Sequence, residues 1–123
     1  MNANASATAP EPAAAMRPLI EQTEAIASLF KAMGHDGRLT ILCHLRSGEK
    51  NVSELEALLS SRQAIVSQQL ARLRMEGLVV ARREGQTIHY RLADARVAAI
   101  LDLLARHARV GMLDALDAKE SRG

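Results

Sequence analysis

Residues 61–77 read SRQAIVSQQLARLRMEG, and residues 78–92 read LVVARREGQTIHYRL. In the first stretch Val66, Leu70 and Leu73 are spaced by four and three, which is one stripe of a helix. The opposite side carries Arg62, Gln63, Ser67, Gln68, Arg72 and Arg74, with no carboxylate before Glu76. A merely solvated helix face usually mixes both signs of charge. This face offers guanidinium, amide and hydroxyl groups, the donors and acceptors that suit an anionic, hydrogen-bond-rich surface. After Gly77 the period changes to an alternation rich in β-branched residues, interrupted at Glu84-Gly85. That pattern predicts a two-stranded hairpin with Arg82 and Arg83 at its tip.

Upstream, residues 1–18 (MNANASATAPEPAAAMRP) hold little to bury and predict a disordered tail. Residues 19–33 place Leu19, Thr23, Ile26, Phe30 and Met33 near one side of a helix that Gly34 ends. Asp36 is the expected N-cap of a helix reaching about Arg46, with Leu39, Ile41, Leu42 and Leu45 inward. A turn follows at residues 47–51. Ser53 and Glu56 have the spacing of a capping box for a short helix, SELEALL. Ser60 and Gln63 repeat that spacing before the next helix. Two short helices separated only by residues 60–62 have the layout of a helix-turn-helix.

Downstream, Asp94 is placed to cap a long helix running through about Leu116. Its apolar residues, from Val97 and Ile100 to Met112, Leu113 and Leu116, span more of the helix than one small domain covers. A partner helix from a second copy is expected there. The expected architecture is therefore mainly α with a two-stranded β-hairpin: a winged helix-turn-helix, homodimeric through its first and last helices. The domain spans residues 19–118, with a second short tail at 119–123.

Composition agrees. The 123 residues suffice for one domain, and 48% are apolar, but Phe30 and Tyr90 are the only aromatics, so the core must be aliphatic. Residues 61–92 carry six arginines against Glu76 and Glu84, a local net of +4, while the whole chain is only +2. Positive charge thus collects where the polar helix face and hairpin lie, as phosphate binding requires. Cys43 is the only cysteine, which excludes an internal disulfide and a multi-cysteine zinc site and suits a reducing cytoplasm. No apolar run reaches membrane-spanning length. The chain also has no glycine-rich phosphate loop and no evident carboxylate pair, so an enzyme is not expected.

With these pieces in place, the sequence resembles the ArsR/SmtB family of bacterial repressors. VSQQLARLR, GLV and RREGQTIHYRL correspond to its recognition helix and wing, and AMGHDGRLTILCHLRSGEKNVSELEALL to the two preceding helices. The resemblance covers roughly residues 19–116. It implies a homodimer on a palindromic double-stranded operator, with Arg62, Gln63, Ser67, Gln68 and Arg72 on the recognition helix and Arg82, Arg83 and Gln86 on the wing. From the residues alone, Gln63 also fits a capping role, Ser67 and Gln68 also fit a solvated face, and Arg72 and Arg74 also fit ion pairs with Glu76.

The resemblance further implies that family metal sites are incomplete here. EKNVSELE stands where one class of the family has thiolates, and Arg96 and Val110 replace two of the four ligands of another, leaving Asp94 and His107. No metal or cofactor is expected. GRLTILCHL is similar to the SqrR/BigR/HlyU thiol-sensing branch, whose first sensing cysteine matches Cys43. The second would fall near Arg109. Two readings of Cys43 stay open: a one-cysteine sensor of reactive sulfur or oxygen species, its thiolate favoured by Arg106 or Arg109, or a packed structural residue. A winged-helix protein-interaction module that reads no DNA is the alternative from another class.

Overall fold

A computed structural model describes residues 10–111 of the chain. The elements in order are α1 (Pro10–Ile20), α2 (Thr23–Met33), α3 (Asp36–Leu45), β1 (Lys50–Asn51), α4 (Val52–Leu59), α5 (Gln63–Met75), β2 (Val79–Glu84), β3 (Thr87–Leu92) and α6 (Ala95–Arg109).

The core is wholly aliphatic, as the lack of aromatics demands. Ile41, Leu42 and Leu45 of α3 meet Leu55 of α4 and Val66, Leu70 and Leu73 of α5. Leu78 and Val79 close it from the hairpin, and Val97 and Leu101 from α6. No polar side chain is buried among the described residues.

The end of α5 joins helix to hairpin. Gly77 has φ +78°, its N–H donates to Arg74 O at 3.0 Å, and Leu78 N–H donates to Leu73 O at 2.9 Å. These two bonds with a left-handed glycine make a Schellman motif, and its apolar pair, Leu73 and Leu78, is buried. Ala93 N–H donates to Leu78 O at 2.9 Å, so both ends of the hairpin are tied to one residue. At the hairpin's tip Gly85 has φ +64° and Gln86 follows without a positive φ, the pattern of a type II′ turn.

Several sequence expectations shift. Residues 10–20 are helical, where a tail was expected up to Pro18, and the first expected helix is split by a turn at Glu21-Gln22. The hairpin gains a third strand: β1 pairs antiparallel with β3, Lys50 opposite Tyr90 and Asn51 opposite His89, giving the order β1-β3-β2. Its tip is Gly85-Gln86, so Arg82 stands opposite His89, two residues back from the closing pair Glu84 and Thr87. Helix α6 stops at Arg109, where Gly111 takes φ +86°; Met112, Leu113 and Leu116 lie outside the described residues.

The caps move too. His35, not Asp36, caps α3, its Nδ1 accepting from Gly37 and Arg38 N–H. Asn51 caps α4 and forms the capping box with Glu54, both bonds at 2.8 Å, two residues ahead of the expected Ser53 and Glu56. Ser60 does not cap α5. It ends α4 in the left-handed region at φ +52°, and α5 starts without a side-chain cap. Asp94 caps α6 as expected, accepting from Arg96 and Val97 N–H. This placement makes Asn51→Ala cost about 1 kcal/mol of stability. Ser53→Ala should be nearly neutral, and denaturant melts of the two variants compare them directly. A larger loss at Ser53 would put the cap where the sequence pattern suggested.

Candidate nucleic-acid interface

The buried stripe of α5 leaves the rest of the helix outside. Arg62, Gln63, Ser67, Gln68, Arg72 and Arg74 are all exposed. The helix-turn-helix expectation is met in layout: α4 and α5 are joined by residues 60–62, and α5 lies beside the hairpin.

Between them runs an open groove of about 360 Å³. Gln63 and Ser67 line it from α5, and Gln86 and Thr87 from the hairpin. Asn51 and Ser53 close it at the start of α4. Three predicted contact residues, Gln63, Ser67 and Gln86, thus converge on one groove. Ser53 and Thr87 belong to it as well and were missed. Ser53 carries the signal of a hydroxyl beside a helix start, which was read as a cap. Thr87 carries only strand propensity.

The arginines divide. Arg82 donates from Nε and Nη2 to the two carboxylate oxygens of Glu49 at 3.1 and 2.7 Å, and from Nη1 to Glu84 at 3.3 Å. That hydrogen bond from Arg82 holds the Glu49 carboxyl below its usual range. The guanidinium fork is therefore engaged by two carboxylates, and Arg82 is the predicted contact that the structure draws away from a free cationic role. Arg72 pairs with Glu76 at 3.2 Å, one turn along α5. Among the described residues no carboxylate stands within ion-pair distance of Arg62 or Arg83.

Asp94, one member of the incomplete metal set, spends its carboxylate on the first turn of α6 and on Arg96 Nη2 at 2.9 Å. Its pKa falls below the usual value, chiefly through that bond to Arg96. Among the described residues no three His, Cys, Asp or Glu side chains gather as metal ligands.

Cys43 is exposed on α3. Burial of part of its surroundings pushes the thiol's pKa up, with no charge opposing it. The expected help from Arg106 or Arg109 toward a thiolate is absent. A second groove, of about 740 Å³ and mostly apolar, lies between α2 and α6, lined by Ile26, Leu29, Phe30, Val97 and Ile100.

Comparisons with known proteins bear on this arrangement. The family model described as bacterial regulatory protein, arsR family, matches residues 35–80. The biofilm growth-associated repressor of Agrobacterium fabrum is 46% identical over 79 residues, 64% of this chain and 68% of that protein. The transcriptional activator HlyU of Vibrio cholerae is 46% identical over 78 residues, 63% of this chain and 72% of HlyU. The structure of reduced HlyU superposes with a TM-score of 0.68 at 40% identity, covering 73% of this chain and 95% of HlyU. A homodimeric winged helix-turn-helix DNA-binding domain from Mycobacterium bovis gives a TM-score of 0.68 at 31% identity, covering 78% of this chain and 88% of that one.

The division among the arginines is measurable on duplex DNA across a salt series. Arg83→Ala should reduce the magnitude of the logarithmic salt slope by about one, the loss of one phosphate contact. Arg82→Ala should leave the slope near its original value, because that cation is already paired. Equal loss from both variants would mean that Glu49 and Glu84 release Arg82 on binding.

Proposed function

The chain belongs to the arsR family of bacterial regulatory proteins, and we propose from that membership that it is a homodimeric repressor acting in the cytoplasm on a palindromic operator. That it is a DNA-binding transcriptional regulator and not an enzyme follows from the family itself. One observation supports the finer reading most: Gln63, Ser67 and Gln86 share a single groove between α5 and the hairpin. Amide and hydroxyl groups on a helix, flanked by the cations Arg62 and Arg83, suit base edges read in a major groove with phosphates alongside. Gln68, exposed next to Ser67, joins that reading set.

The dimer is supported by the apolar groove between α2 and α6 and by Leu103 and Leu104, exposed on α6. Two such faces related by a two-fold axis would present two copies of α5 to two half-sites. The homodimeric relative from Mycobacterium bovis points the same way.

For release, the proposal takes Cys43 as the modified group. Its side chain is exposed, and it lies one turn from Arg46. Arg46 ties α3 to α6 by two bonds of 2.8 Å to Asp102. In the simplest step the Cys43 thiolate attacks a sulfur of a polysulfide, forming a cysteine persulfide and expelling the shortened polysulfide. The raised thiol pKa makes this slow at neutral pH and faster as pH rises. The same raised pKa favours a second reading, in which Cys43, exposed rather than packed in the core, is unreactive and the inducer acts elsewhere.

Fluorescence anisotropy on DNA from upstream of the chain's own gene tests both parts. Gln68→Ala should weaken specific binding by about 1–3 kcal/mol, the worth of a base contact, and leave random DNA unchanged. An equal fall on both probes removes Gln68 from base reading. Polysulfide treatment should abolish specific binding of the unmodified chain and spare Cys43→Ser. If treatment changes nothing, the second reading of Cys43 holds.

A further inference from the structure

Arg38 lies outside the groove and outside every residue assigned above, yet its guanidinium joins three helices. From the first turn of α3, Nε donates to the carbonyl of Ala32 at 2.6 Å and Nη2 to the carbonyl of Lys31 at 3.5 Å. Both carbonyls are at the C-terminal end of α2, where a helix runs short of donors of its own and where a cation is favoured; Lys31 O also accepts from Gly34 N–H at 3.3 Å. The remaining arm, Nη1, donates to Oε1 of Gln69 on α5 at 3.1 Å. Arg38 and Gln69 are both half-buried, so the link is sheltered from competing water.

Gln69 sits between Gln68, which faces out, and Leu70, which is fully buried. It is thus at the edge where the reading face of α5 meets the core. Base readout tolerates little displacement, since a recognition side chain held loosely loses its geometry. We propose that Arg38 is a positioning residue for DNA recognition: it fixes the seat of α5 against the end of α2 through Gln69, without touching DNA. The inference rests on the DNA-reading function proposed above. It also makes the end of α2, beside the apolar groove that Leu29 and Phe30 line, a place from which a shift reaches the polar edge of the reading helix through Arg38, alongside the core packing of Ala32 and Met33.

Loss of Arg38 takes the 2.6 Å bond from the Ala32 carbonyl and threatens the fold, so Gln69 carries the test. Gln69→Ala removes the tie and keeps the Arg38 bonds to α2. Gln69→Glu keeps an acceptor and adds a charge-assisted bond. The probes are a duplex enriched by the full unmodified chain from a randomised pool, and a scrambled duplex of the same composition. Gln69→Ala should lose roughly three- to thirty-fold on the enriched duplex, the range for coupling through a connecting network, with the scrambled duplex and the salt slope unchanged. Gln69→Glu should bind like the unmodified chain. Arg38→Lys keeps the charge without the fork and should show the same loss as Gln69→Ala, with no further loss when the two are combined. The proposal fails if Gln69→Ala binds the enriched duplex normally or weakens on both duplexes alike. It fails equally if Gln69→Glu weakens both probes with a changed salt slope, because Gln69 then touches DNA itself. A full chain that enriches no duplex overturns the DNA reading, and the positioning role with it.

Discussion

Helix α5 must be gripped on one side and left bare on the other, and the Leu73–Leu78 junction is where the two demands are met. Three buried side chains, Val66, Leu70 and Leu73, hold one face. The polar face is then exposed by the geometry of a 3.6-residue turn rather than by any further contact. The hairpin cannot be placed independently of this helix. Gly77 reverses the chain in a conformation that side chains rarely adopt, and Leu78 returns to the core beside Leu73 while its carbonyl receives Ala93 N–H from the far end of the hairpin. The groove that unites Gln63, Ser67 and Gln86 is a consequence of that tight turn. A longer or looser connection would leave the same side chains present and the groove undefined.

The hydrophobic period made the helices and the inward faces legible. Leu42, Leu45, Leu70 and Leu73 are buried because an aliphatic stripe has nowhere else to go. Helix ends were harder, for a local reason. Asn51 and Ser53 are both competent caps two residues apart, and the sequence offers no way to rank them. Pairing ranks them: β1 joins β3 at Lys50 and Asn51, which holds Asn51 extended at the moment α4 begins. His35 displaced Asp36 in a similar way, because an imidazole Nδ1 can accept from backbone N–H although histidine is not counted among ordinary caps. The split between α1 and α2 leaves no periodic signal at all.

The site was legible as a face and illegible as a set of charges. Exposure of the α5 polar residues follows from the same stripe that buries the others. Pairing does not, because it depends on residues far along the chain. Arg82 and Glu49 are 33 residues apart, and Arg38 and Gln69 are 31 apart. Counting arginines between residues 61 and 92 therefore overstates the free positive charge. Glu49 lies outside that window and neutralises one of them, and Glu76 engages another. What is left is a few cations around a neutral, hydrogen-bonding groove. In the proposed DNA-reading role such a surface would lean on base contacts more than on counterion release, and so would favour discrimination among sequences over tight binding to any duplex.

A regulator also needs two arrangements that a signal can tell apart, and the fold limits where they can differ. The core between α3, α4 and α5 is close-packed and aliphatic, so it yields little to a small perturbation. The attachments of α2 and α6 are of another kind. Helix α6 is held to α3 by the exposed pair Arg46–Asp102 as well as by Val97 and Leu101, and α2 adds the Arg38–Gln69 bond to the buried packing of Ala32 and Met33. Polar links of this sort are directional and can be exchanged without emptying a core. A group added at Cys43 sits one turn from the first of them, while the apolar groove between α2 and α6 reaches α2 at Leu29 and Phe30, just ahead of the carbonyls that hold the second. Any signal that favours one setting of these links over the other shifts the equilibrium by its differential affinity and no more. In the proposed release, the reading helix would move as a unit with its grip on the core intact, so operator contacts would be lost without any change in the contacting side chains.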